Sequence, residues 1–302
     1  MVFILAHFSD SHIGPLPQPK WHELLGKRVT GYANWLQGRS RAHDMNVLGK
    51  VVEDIKAQRP DHIVMTGDIG NLGLRSEYPI GSAWLASIGG PESVSFVPGN
   101  HDAYVRSTVR EILPAFGPWM QGDSTSQKFP YVRRRGNVAL IGLNSAIPTA
   151  PFLASGSLGS GQLARLALIL RAAKTAGLAR VILIHHPPHR TGAKIGRGLR
   201  DAARLETILS AEGAELVLHG HNHHMSITWL ASKHGPIPVA GVASASLRTQ
   251  MHGLCAGYRL FRIEQCATGW EIGMRTRQLA SNGNIVDVSE QGHWQILVPD
   301  KI

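Results

Sequence analysis

Five short stretches of the sequence place Asp, Asn or His directly after an apolar run, beside Gly, Ser or Pro. They are Ser9-Asp10-Ser11-His12, Gly67-Asp68, Gly99-Asn100-His101-Asp102, His185-His186-Pro187-Pro188 and Gly220-His221-Asn222-His223. Carboxylate, carboxamide and imidazole ligands together suit Mn, Fe and Zn. They are too many for one tetrahedral ion, and two cations about 3.5–4 Å apart can clamp the entering and leaving oxygens of a phosphoryl group. The pattern therefore predicts a two-metal site for phosphoester chemistry.

The apolar runs before these stretches have the length of buried strands. They end near residues 9, 67, 97, 184 and 219. Between them, apolar residues at helical spacing predict helices over about 43–58, 77–88, 104–116 and 160–177. Alternating strands and helices are typical of βαβ units, and open α/β sheets place their chemistry at the carboxyl ends of the strands. The sequence thus predicts an α/β fold that brings the five stretches together.

The later part of the chain follows a different pattern. Residues 129–134 and 137–144 predict a hairpin, and residues 225–302 are turn-rich and alternate in polarity. This second pattern predicts antiparallel C-terminal strands that complete a second sheet. Because 302 residues show no linker, repeat or low-complexity tract, we expect a single domain over 1–302.

The stretch 15–41 interleaves aromatic and basic residues after three prolines. One interpretation is a lid, a lipid-surface contact or an arm that stacks on substrate. The other is a helical insertion that packs on the core through Leu24, Leu25, Tyr32, Trp35 and Leu36. The helical insertion is the favoured interpretation.

The composition favours an anionic partner. There are 31 Lys and Arg against 21 Asp and Glu, which gives a formal charge of +10. Such an excess attracts phosphate esters, nucleic acid or acidic lipids. No apolar run reaches the roughly 18 residues of a transmembrane helix, and the N-terminus lacks the basic region of a signal peptide. Two cysteines without CxxC spacing fit a reducing compartment, so we expect a cytoplasmic protein.

The ordered motifs D-x-H, G-D, G-N-H-D, H-x-P and G-H-x-H resemble those of the calcineurin-like metallophosphoesterase superfamily over residues 10–223. The intact G-N-H-D and H-H-P-P are most similar to the branch that contains class III cyclic nucleotide phosphodiesterases and glycerophosphodiesterases. The resemblance implies a two-sheet mixed β-sandwich flanked by helices. It also implies two transition metal ions, for which Mn, Fe and Zn are the candidates.

The resemblance further implies a role for each residue of the motifs. The first metal ion would bind Asp10, His12 and His223, the second would bind Asn100, His185 and His221, and Asp68 would bridge the two. His101 would lie near the leaving-group oxygen as a general acid, with Asp102 orienting it and keeping it protonated. His186, His189, Arg190 and His224 adjoin the ligands and are candidates for substrate contact.

The expected activity is hydrolysis of a small anionic phosphodiester by a hydroxide that bridges the two metal ions. Three alternatives stay open: a phosphomonoesterase on the same site, a nucleic-acid phosphodiesterase suggested by the basic charge, and a metal-bound scaffold without catalysis. The sequence does not choose a natural substrate. Exposed edges of the late strands also leave a homodimer open.

Overall fold

The computed structural model of the chain describes residues 2–124, 128–248 and 255–297. These residues form twelve strands, which are β1 (Val2–Phe8), β2 (His62–Met65), β3 (Val94–Phe96), β4 (Tyr131–Arg135), β5 (Val138–Gly142), β6 (Ala179–Leu183), β7 (Leu216–His219), β8 (Ser226–Leu230), β9 (Ile237–Gly241), β10 (Gly257–Cys266), β11 (Gly269–Leu279) and β12 (Ile285–Leu297). They also form seven α-helices, which are α1 (Lys27–Asn34), α2 (Ser40–Ala42), α3 (Met45–Ala57), α4 (Glu77–Ile88), α5 (Val109–Phe116), α6 (Gly159–Thr175) and α7 (Ala202–Glu212).

The strands form two six-stranded mixed sheets. The first has the order β12-β11-β10-β1-β2-β3, and the second has the order β4-β5-β6-β7-β9-β8. In the first sheet β1, β2 and β3 are parallel. In the second sheet β5, β6, β7 and β9 are parallel, with antiparallel strands at both edges. The two-sheet mixed fold with flanking helices predicted from the sequence is confirmed.

Apolar side chains from both sheets share one core. Val64 of β2 and Phe96 of β3 belong to the same buried cluster as Val181 and Leu183 of β6. A second cluster lies where α6 and α7 cover the second sheet, and it includes Leu166 of α6. Strands buried on both faces explain why these runs are continuously apolar in the sequence instead of alternating.

The helices between the parallel strands agree with the sequence pattern. In α3 the buried residues are Val47, Leu48, Val51 and Ile55, which lie on one face at helical spacing. The helix begins at Asp44, whose carboxylate accepts a hydrogen bond of 2.8 Å from the backbone N–H of Asn46. The helix predicted over about 104–116 is shorter than expected, because Val105 is extended and α5 begins at Val109 after a 3-10 turn.

The prediction that residues 225–302 complete the second sheet is only half right. β8 and β9 join the second sheet, but β10, β11 and β12 join the first, where β10 pairs antiparallel with β1. Alternating polarity identifies a strand with one covered face, but it does not say which sheet edge that strand extends. β1 has one edge occupied by β2, and β10 occupies the other.

Residues 20–42, called the cap below, contain a 3-10 turn at Trp21–Leu24, α1, a π-helical turn at Trp35–Arg39 and α2. The predicted insertion is therefore helical. The predicted packing of Leu25 and Leu36 on the core is wrong, since these side chains are 68% and 58% exposed. Tyr32, another residue of that prediction, does pack against the buried cluster of Leu72, Leu74 and Tyr104. Polar contacts also hold the cap, because the guanidinium of Arg28 donates to the carbonyl oxygens of Leu72 and Gly73.

Candidate metal centre

The strand ends of both sheets meet on one side of the molecule and carry all seven predicted metal ligands. Each ligand lies in the loop after a strand, with Asp10 and His12 after β1, Asp68 after β2, Asn100 after β3, His185 after β6, and His221 and His223 after β7. We call these seven residues the ligand cluster. Five of them are at most 3% exposed, and the remaining two, His221 and His223, are partly exposed.

Asp10, His12 and His223 form the first half of the ligand cluster. The Nε2 atom of His223 lies 3.1 Å from Oδ1 of Asp10 and 3.3 Å from Nε2 of His12. The Nδ1 atom of His12 lies 3.1 Å from the carbonyl oxygen of Gly70. We therefore assign the proton of His12 to Nδ1, which leaves Nε2 as the free donor for a metal ion.

Asn100, His185 and His221 form the second half. Oδ1 of Asn100 lies 2.9 Å from Nδ1 of His221 and 3.2 Å from Nε2 of His185, and these two nitrogens are 3.3 Å apart. The other ring nitrogen of His185, Nδ1, lies 2.6 Å from the carbonyl oxygen of Thr66. That contact orients the His185 ring with Nε2 toward the cluster.

Asp68 lies between the two halves. Its Oδ2 atom is 4.0 Å from Nε2 of His12 and 3.3 Å from Nε2 of His185. One carboxylate oxygen thus reaches donors of both halves, which is the position a bridging ligand needs.

The contacts inside the cluster fit metal ions better than direct hydrogen bonds. Pairs of imidazole nitrogens and a carboxamide oxygen converge within about hydrogen-bond distance, although most of these atoms are acceptors in the neutral form. Oδ1 of Asp10 is buried without a hydrogen-bond partner, and the nearby His223 nitrogen lies outside hydrogen-bonding geometry. Groups of Asp and His in the described residues have ligand atoms within 4.8 Å of one another, among them Asp10-His12-His223 and Asp10-Asp68-His185. The donor set fits two metal ions.

The backbone of the ligand cluster is strained. Positive φ angles occur at Asp10 (55°), His12 (40°), Asp68 (59°), His221 (70°) and His223 (58°). Non-glycine residues seldom adopt this left-handed region, and such strain concentrates at functional sites, where the surrounding structure must hold it. Here the strain turns side chains from adjacent loops toward one point.

Two motif glycines allow this close approach. A Cβ atom at Gly99 would overlap the carboxylate of Asp68, and one at Gly220 would overlap Ser9 and the carboxylate of Asp10. The glycines of G-N-H-D and G-H-x-H are therefore required by packing against the ligands themselves.

Charges within the cluster are strongly coupled. Burial raises the pKa of Asp68, but the charge of the neighbouring His185 and its hydrogen bond to Asp68 help to hold that pKa well below its usual range. Burial lowers the pKa of His185, yet Asp68 and Asp10 raise it to a net value of about 9. Burial and then the charge of His185 lower the pKa of His221 to about 3. The cluster thus offers ionised carboxylates and mostly neutral imidazoles, which is the ionisation state that metal binding requires.

Asp102 does not contact the ring of His101, so the prediction that Asp102 orients it is wrong. The Asp102 carboxylate accepts hydrogen bonds from the backbone N–H groups of Asp68, Ile69, Gly70 and Gly99, at 2.8 to 3.0 Å. It therefore fixes the two ligand-bearing loops to each other. Burial, followed by repulsion from Asp68, raises the pKa of Asp102 to about 7.

His101 has a different partner from the one expected. Its Nδ1 atom lies 2.5 Å from the carbonyl oxygen of Asn71, and its ring stacks on Tyr104 at 5.3 Å. Burial and the nearby guanidinium of Arg39 lower the pKa of His101 well below its usual value. His101 is consequently neutral beside the ligand cluster, and the predicted protonation by Asp102 is corrected.

Arg39 is a site residue that the sequence analysis did not single out. It lies in the π-helical turn of the cap, and its guanidinium approaches both ring nitrogens of His12 at 3.2 to 3.3 Å and Nδ1 of His101 at 3.4 Å. Single π-helical turns often occur at functional sites. Nothing in the sequence separates Arg39 from Arg41, two residues further on, because only the irregular helical turn aims one of them inward.

A cavity of about 410 Å³ lies between the ligand cluster and the cap. Its cationic lining residues are Lys27, Arg39 and Arg197, and its walls include Tyr104 and Phe152. The ammonium of Lys27 donates to Thr149 Oγ1 at 2.6 Å, and burial lowers its pKa to about 8. A second cavity of about 620 Å³ adjoins the first and shares Arg197 and Asn222 with it.

The four residues predicted to contact substrate lie in different places, and only two of them line a cavity. His189 and His224 line the second cavity. His186 is buried, with its ring nitrogens 2.8 Å from Ser145 Oγ and 3.1 Å from the carbonyl oxygen of Ala154, and it lines neither cavity.

Arg190 also lines neither cavity, since its guanidinium pairs with Glu206 at 2.9 Å. Neither cavity lining includes His186 or Arg190, and their contact with substrate stays a prediction. His186 nevertheless lies against the ligand cluster, since its ring centroid is 4.5 Å from that of His221 and 5.0 Å from that of His185, and the three histidines have ligand atoms within 4.8 Å of one another.

Comparison with known proteins places the chain beside phosphoesterases. A family model described as calcineurin-like phosphoesterase matches residues 3–225. The cAMP/cGMP dual specificity phosphodiesterase of Mycobacterium tuberculosis is 27% identical over 265 residues, which cover 84% of this chain and 71% of that protein. The glycerophosphodiester phosphodiesterase GpdQ of Enterobacter lignolyticus is 25% identical over 241 residues, covering 74% and 72% respectively.

Solved structures share the fold at lower identity. A dimetal phosphatase from Danio rerio has a TM-score of 0.62 and 14% identity, with 95% of this chain and 98% of that chain covered. Purple acid phosphatase PPD1 from yellow lupin seeds has a TM-score of 0.59 and 12% identity, with coverage of 95% and 53%. Within the part of the chain that the structure describes, no helix is long and apolar enough to span a membrane.

Proposed function

Because the chain belongs to the calcineurin-like phosphoesterase family, we propose that it is a phosphodiesterase with two metal ions held by the ligand cluster. The assignment of the seven residues follows the two halves described above, with Asp68 as the shared ligand. Two relatives named as phosphodiesterases support the diester preference. We also propose that both sheets form one domain, since they share one buried core.

The position of Asp68 Oδ2 carries this proposal. Donors of both halves lie within 4.0 Å of this one oxygen. A structural site for a single ion needs about four ligands, so seven donors around a shared carboxylate support a pair of ions. Bound there, the two ions supply Lewis acidity and an activated water for attack on phosphorus.

Arg39 is proposed to bind the non-bridging oxygens of the phosphoryl group. Its guanidinium is placed above His12 and His101 from the cap side of the cavity. A guanidinium offers several N–H donors in a planar fork that matches phosphate oxygens. Since most of its contacts are to histidines and no carboxylate pairs with it among the described residues, the fork is available for an anion.

His101 is proposed to contact the leaving-group side of the substrate. Its Nδ1 atom is committed to the carbonyl oxygen of Asn71, which leaves Nε2 of the neutral ring as an acceptor. A phosphate anion next to the ring would raise the pKa of His101, because an adjacent negative charge favours the protonated form. Protonation of His101 would thus accompany substrate binding and allow proton donation to the leaving alkoxide.

The two adjoining cavities support a small diester as substrate. Pockets of about 300–1,000 Å³ are typical of small-molecule sites, and the cavity over the ligand cluster has about 410 Å³. We propose that the second alcohol of the diester extends past Arg197 and Asn222 toward His189 and His224. The small volume of these cavities is the reason to favour a small diester over the nucleic acid that the basic charge first suggested.

Phosphomonoester hydrolysis is the second candidate. Three cationic side chains, Lys27, Arg39 and Arg197, line the same cavity and suit the dianion of a monoester. The presence of all seven donors in one cluster argues against a scaffold without catalysis.

The test compares bis(p-nitrophenyl) phosphate with p-nitrophenyl phosphate as substrates. Protein stripped of metal and then reloaded with Mn, Fe or Zn should hydrolyse the diester faster, and Asn100→Ala should lose this turnover. Faster hydrolysis of the monoester would promote the second candidate. Two bound ions without turnover of either ester, under any metal, would contradict the proposed function.

A further inference from the structure

The cap exposes an apolar stripe to solvent. Val29, Ala33 and Leu36 lie at positions i, i+4 and i+7 of α1 and the turn after it, so they share one face. Val29 is 54% exposed and Leu36 is 58% exposed. The polar side of the same helix, with Lys27 and Thr30, lines the cavity. An ordinary surface helix has the reverse arrangement, with its apolar face toward the protein.

Further apolar residues are exposed on the cap and on two loops hydrogen-bonded to it or to each other. Trp21 is 82% exposed and precedes α1, while Phe152 is 83% exposed and lines the cavity. The loop of Phe152 is joined to the cap by the hydrogen bond from Lys27 Nζ to the carbonyl oxygen of Leu153. Ile195, on the loop after β6, is fully exposed. The backbone of that loop also bonds to the Phe152 loop, through Ala154 N–H and the carbonyl oxygen of Gly196 at 2.9 Å.

We call this surface the mouth surface, formed by Trp21, Leu25, Val29, Ala33, Leu36, Phe152, Leu153 and Ile195. Contiguous apolar residues on a surface mark an interaction site, whereas single exposed apolar residues need no explanation. Three separate loops contribute to the mouth surface, so the exposure is a property of this side of the molecule and not of one loop.

The charges among these residues are almost all positive. Residues 15–42 contain five basic side chains and one acidic side chain, and residues 187–200 contain four basic and no acidic side chains. Lys20, Arg41, Lys194 and Arg197 are exposed. Among the residues the structure describes, these four form no ion pair with a carboxylate. The Glu23 carboxylate is turned back to accept the backbone N–H of Lys20.

We propose that the mouth surface docks on an anionic lipid membrane. Exposed Trp, Phe and Leu side chains together with Lys and Arg are the combination that inserts at a lipid interface and attracts acidic headgroups. A nucleic acid would use the cations but not the aliphatic stripe. An uncharged apolar protein partner would use the stripe but not the cations. Docking of this kind does not depend on which ester is hydrolysed.

The test is flotation of the full chain with lipid vesicles. Wild-type protein should float with vesicles of equal parts phosphatidylcholine and phosphatidylglycerol, and much less with phosphatidylcholine alone. The pair Val29→Ser and Leu36→Ser removes two inserted aliphatic side chains and should lower partitioning onto the anionic vesicles about tenfold or more. The matched control is Leu168→Ser on α6, a side chain that is 63% exposed but outside the mouth surface, and it should float like wild type.

A charge variant separates the electrostatic contribution to membrane binding from the contribution of the inserted apolar side chains. Lys20→Glu with Arg41→Glu should lower binding to anionic vesicles by about tenfold or more and leave binding to phosphatidylcholine unchanged. Hydrolysis of soluble bis(p-nitrophenyl) phosphate should stay at the wild-type level in the Val29 and Leu36 pair, which shows that the pair folds. A thermal unfolding midpoint equal to that of wild type shows that the variant folds without using its activity. The vesicle test therefore stays valid even if the protein does not hydrolyse phosphodiesters.

Three results would overturn the proposal. One is equal flotation of wild type and the Val29 and Leu36 pair. Another is no flotation of wild type with either vesicle. The third is a dimer in sedimentation velocity that the pair abolishes while vesicle binding stays absent, which would assign the mouth surface to a second copy of the chain.

Discussion

The ligand cluster and the cap lie on opposite sides of one cavity, and they are built in opposite ways. The cluster consists of buried side chains from the ends of five strands, and positive φ angles at five of its residues are held by the two sheets. The cap consists of short helical turns held by Tyr32, which packs on the cluster of Leu72, Leu74 and Tyr104, and by polar contacts such as Arg28 to the carbonyl oxygen of Leu72 at 3.0 Å. It exposes apolar side chains that the cluster side would bury.

This difference suits the two regions to two roles, metal binding and contact with substrate. Donor atoms must hold fixed positions to bind two cations, and the sheet core supplies that rigidity. A region with few buried apolar contacts opens at lower free energy, and we therefore propose that the cap is the part of the cavity that admits and selects substrate. Changes in the cluster should therefore affect metal binding, and changes in the cap should affect turnover with the metals still bound.

The largest expected effect comes from Asp68. Asp68→Ala removes the oxygen that reaches both halves of the cluster, and since the metal pair contributes several kcal/mol, turnover should fall about 10³-fold or more. Metal analysis after gel filtration should show fewer than two ions per chain. Asp123→Asn is the matched control, because Asp123 is a surface carboxylate paired with Arg135 at 2.9 Å. Two ions and wild-type turnover in Asp68→Ala would contradict the shared-ligand assignment.

A substitution of Arg39 tests whether the cap affects turnover without affecting metal binding. Arg39→Ala should lower kcat/KM for bis(p-nitrophenyl) phosphate by about 10²- to 10³-fold, because one charged donor to the phosphoryl oxygens is lost. Its metal content should remain that of wild type. Arg41→Ala, two residues along the cap and exposed, should keep normal turnover of this soluble ester. If the two variants behave alike, Arg39 has no special place in the site.

A substitution of Asp102 tests whether the loops that carry the metal ligands must be held together for tight metal binding. Asp102→Asn replaces an acceptor of four backbone N–H groups, so the loops of Asp68 and Gly99 should be less well fixed and metal affinity should fall about 10- to 100-fold. At saturating metal the remaining loss of turnover should be the same for nitrophenyl and alkyl esters. A larger loss on the alkyl ester would restore the original idea that Asp102 acts through His101.

The motifs in the sequence were sufficient to locate the ligand cluster, for a physical reason. Asp10 and Asp68 follow parallel strands of the first sheet, and parallel pairing brings the carboxyl ends of strands together within a sheet. His185 and His221 follow parallel strands of the second sheet in the same way, and the core shared by the two sheets brings both sets together. The role of Asp102 was not predictable in the same way. Its partners are backbone N–H groups of another loop, and backbone groups leave no signature in residue types.

The structure of the cap could not be predicted from the sequence in this way. Leu25 and Leu36 have the residue type of core-facing positions, but Leu25 lies in an extended link before α1 and Leu36 in the π-helical turn after it, and both face solvent. Arg39 and Arg41 are equivalent in sequence, and only the π-helical turn distinguishes them. The placement of β10 beside β1 likewise depended on which sheet edge was free. Tertiary contacts decided each of these features.

The smallest expected effect concerns burial of a histidine away from the cluster. His62 lies at the opposite end of β2 from Asp68, and burial followed by repulsion from Arg135 and Arg133 lowers its pKa to about 3. Below about pH 6.5 the unfolded chain binds a proton there and the folded chain does not, so stability should fall by up to about 1.4 kcal/mol per pH unit.

Urea unfolding of the metal-free protein between about pH 7 and about pH 5 measures this dependence. His62→Gln should show the shallower dependence, and the exposed His22→Gln should follow wild type. Identical slopes for all three proteins would mean that His62 is not held neutral by burial.

The most direct test of the account is the electron paramagnetic resonance spectrum of protein reloaded with Mn²⁺. If Asp68 is shared by two ions, wild-type protein should show the spectrum of an exchange-coupled Mn pair, and Asp68→Ala should show only isolated Mn²⁺. A spectrum of isolated Mn²⁺ in fully loaded wild-type protein would contradict the dinuclear centre on which the proposed function depends.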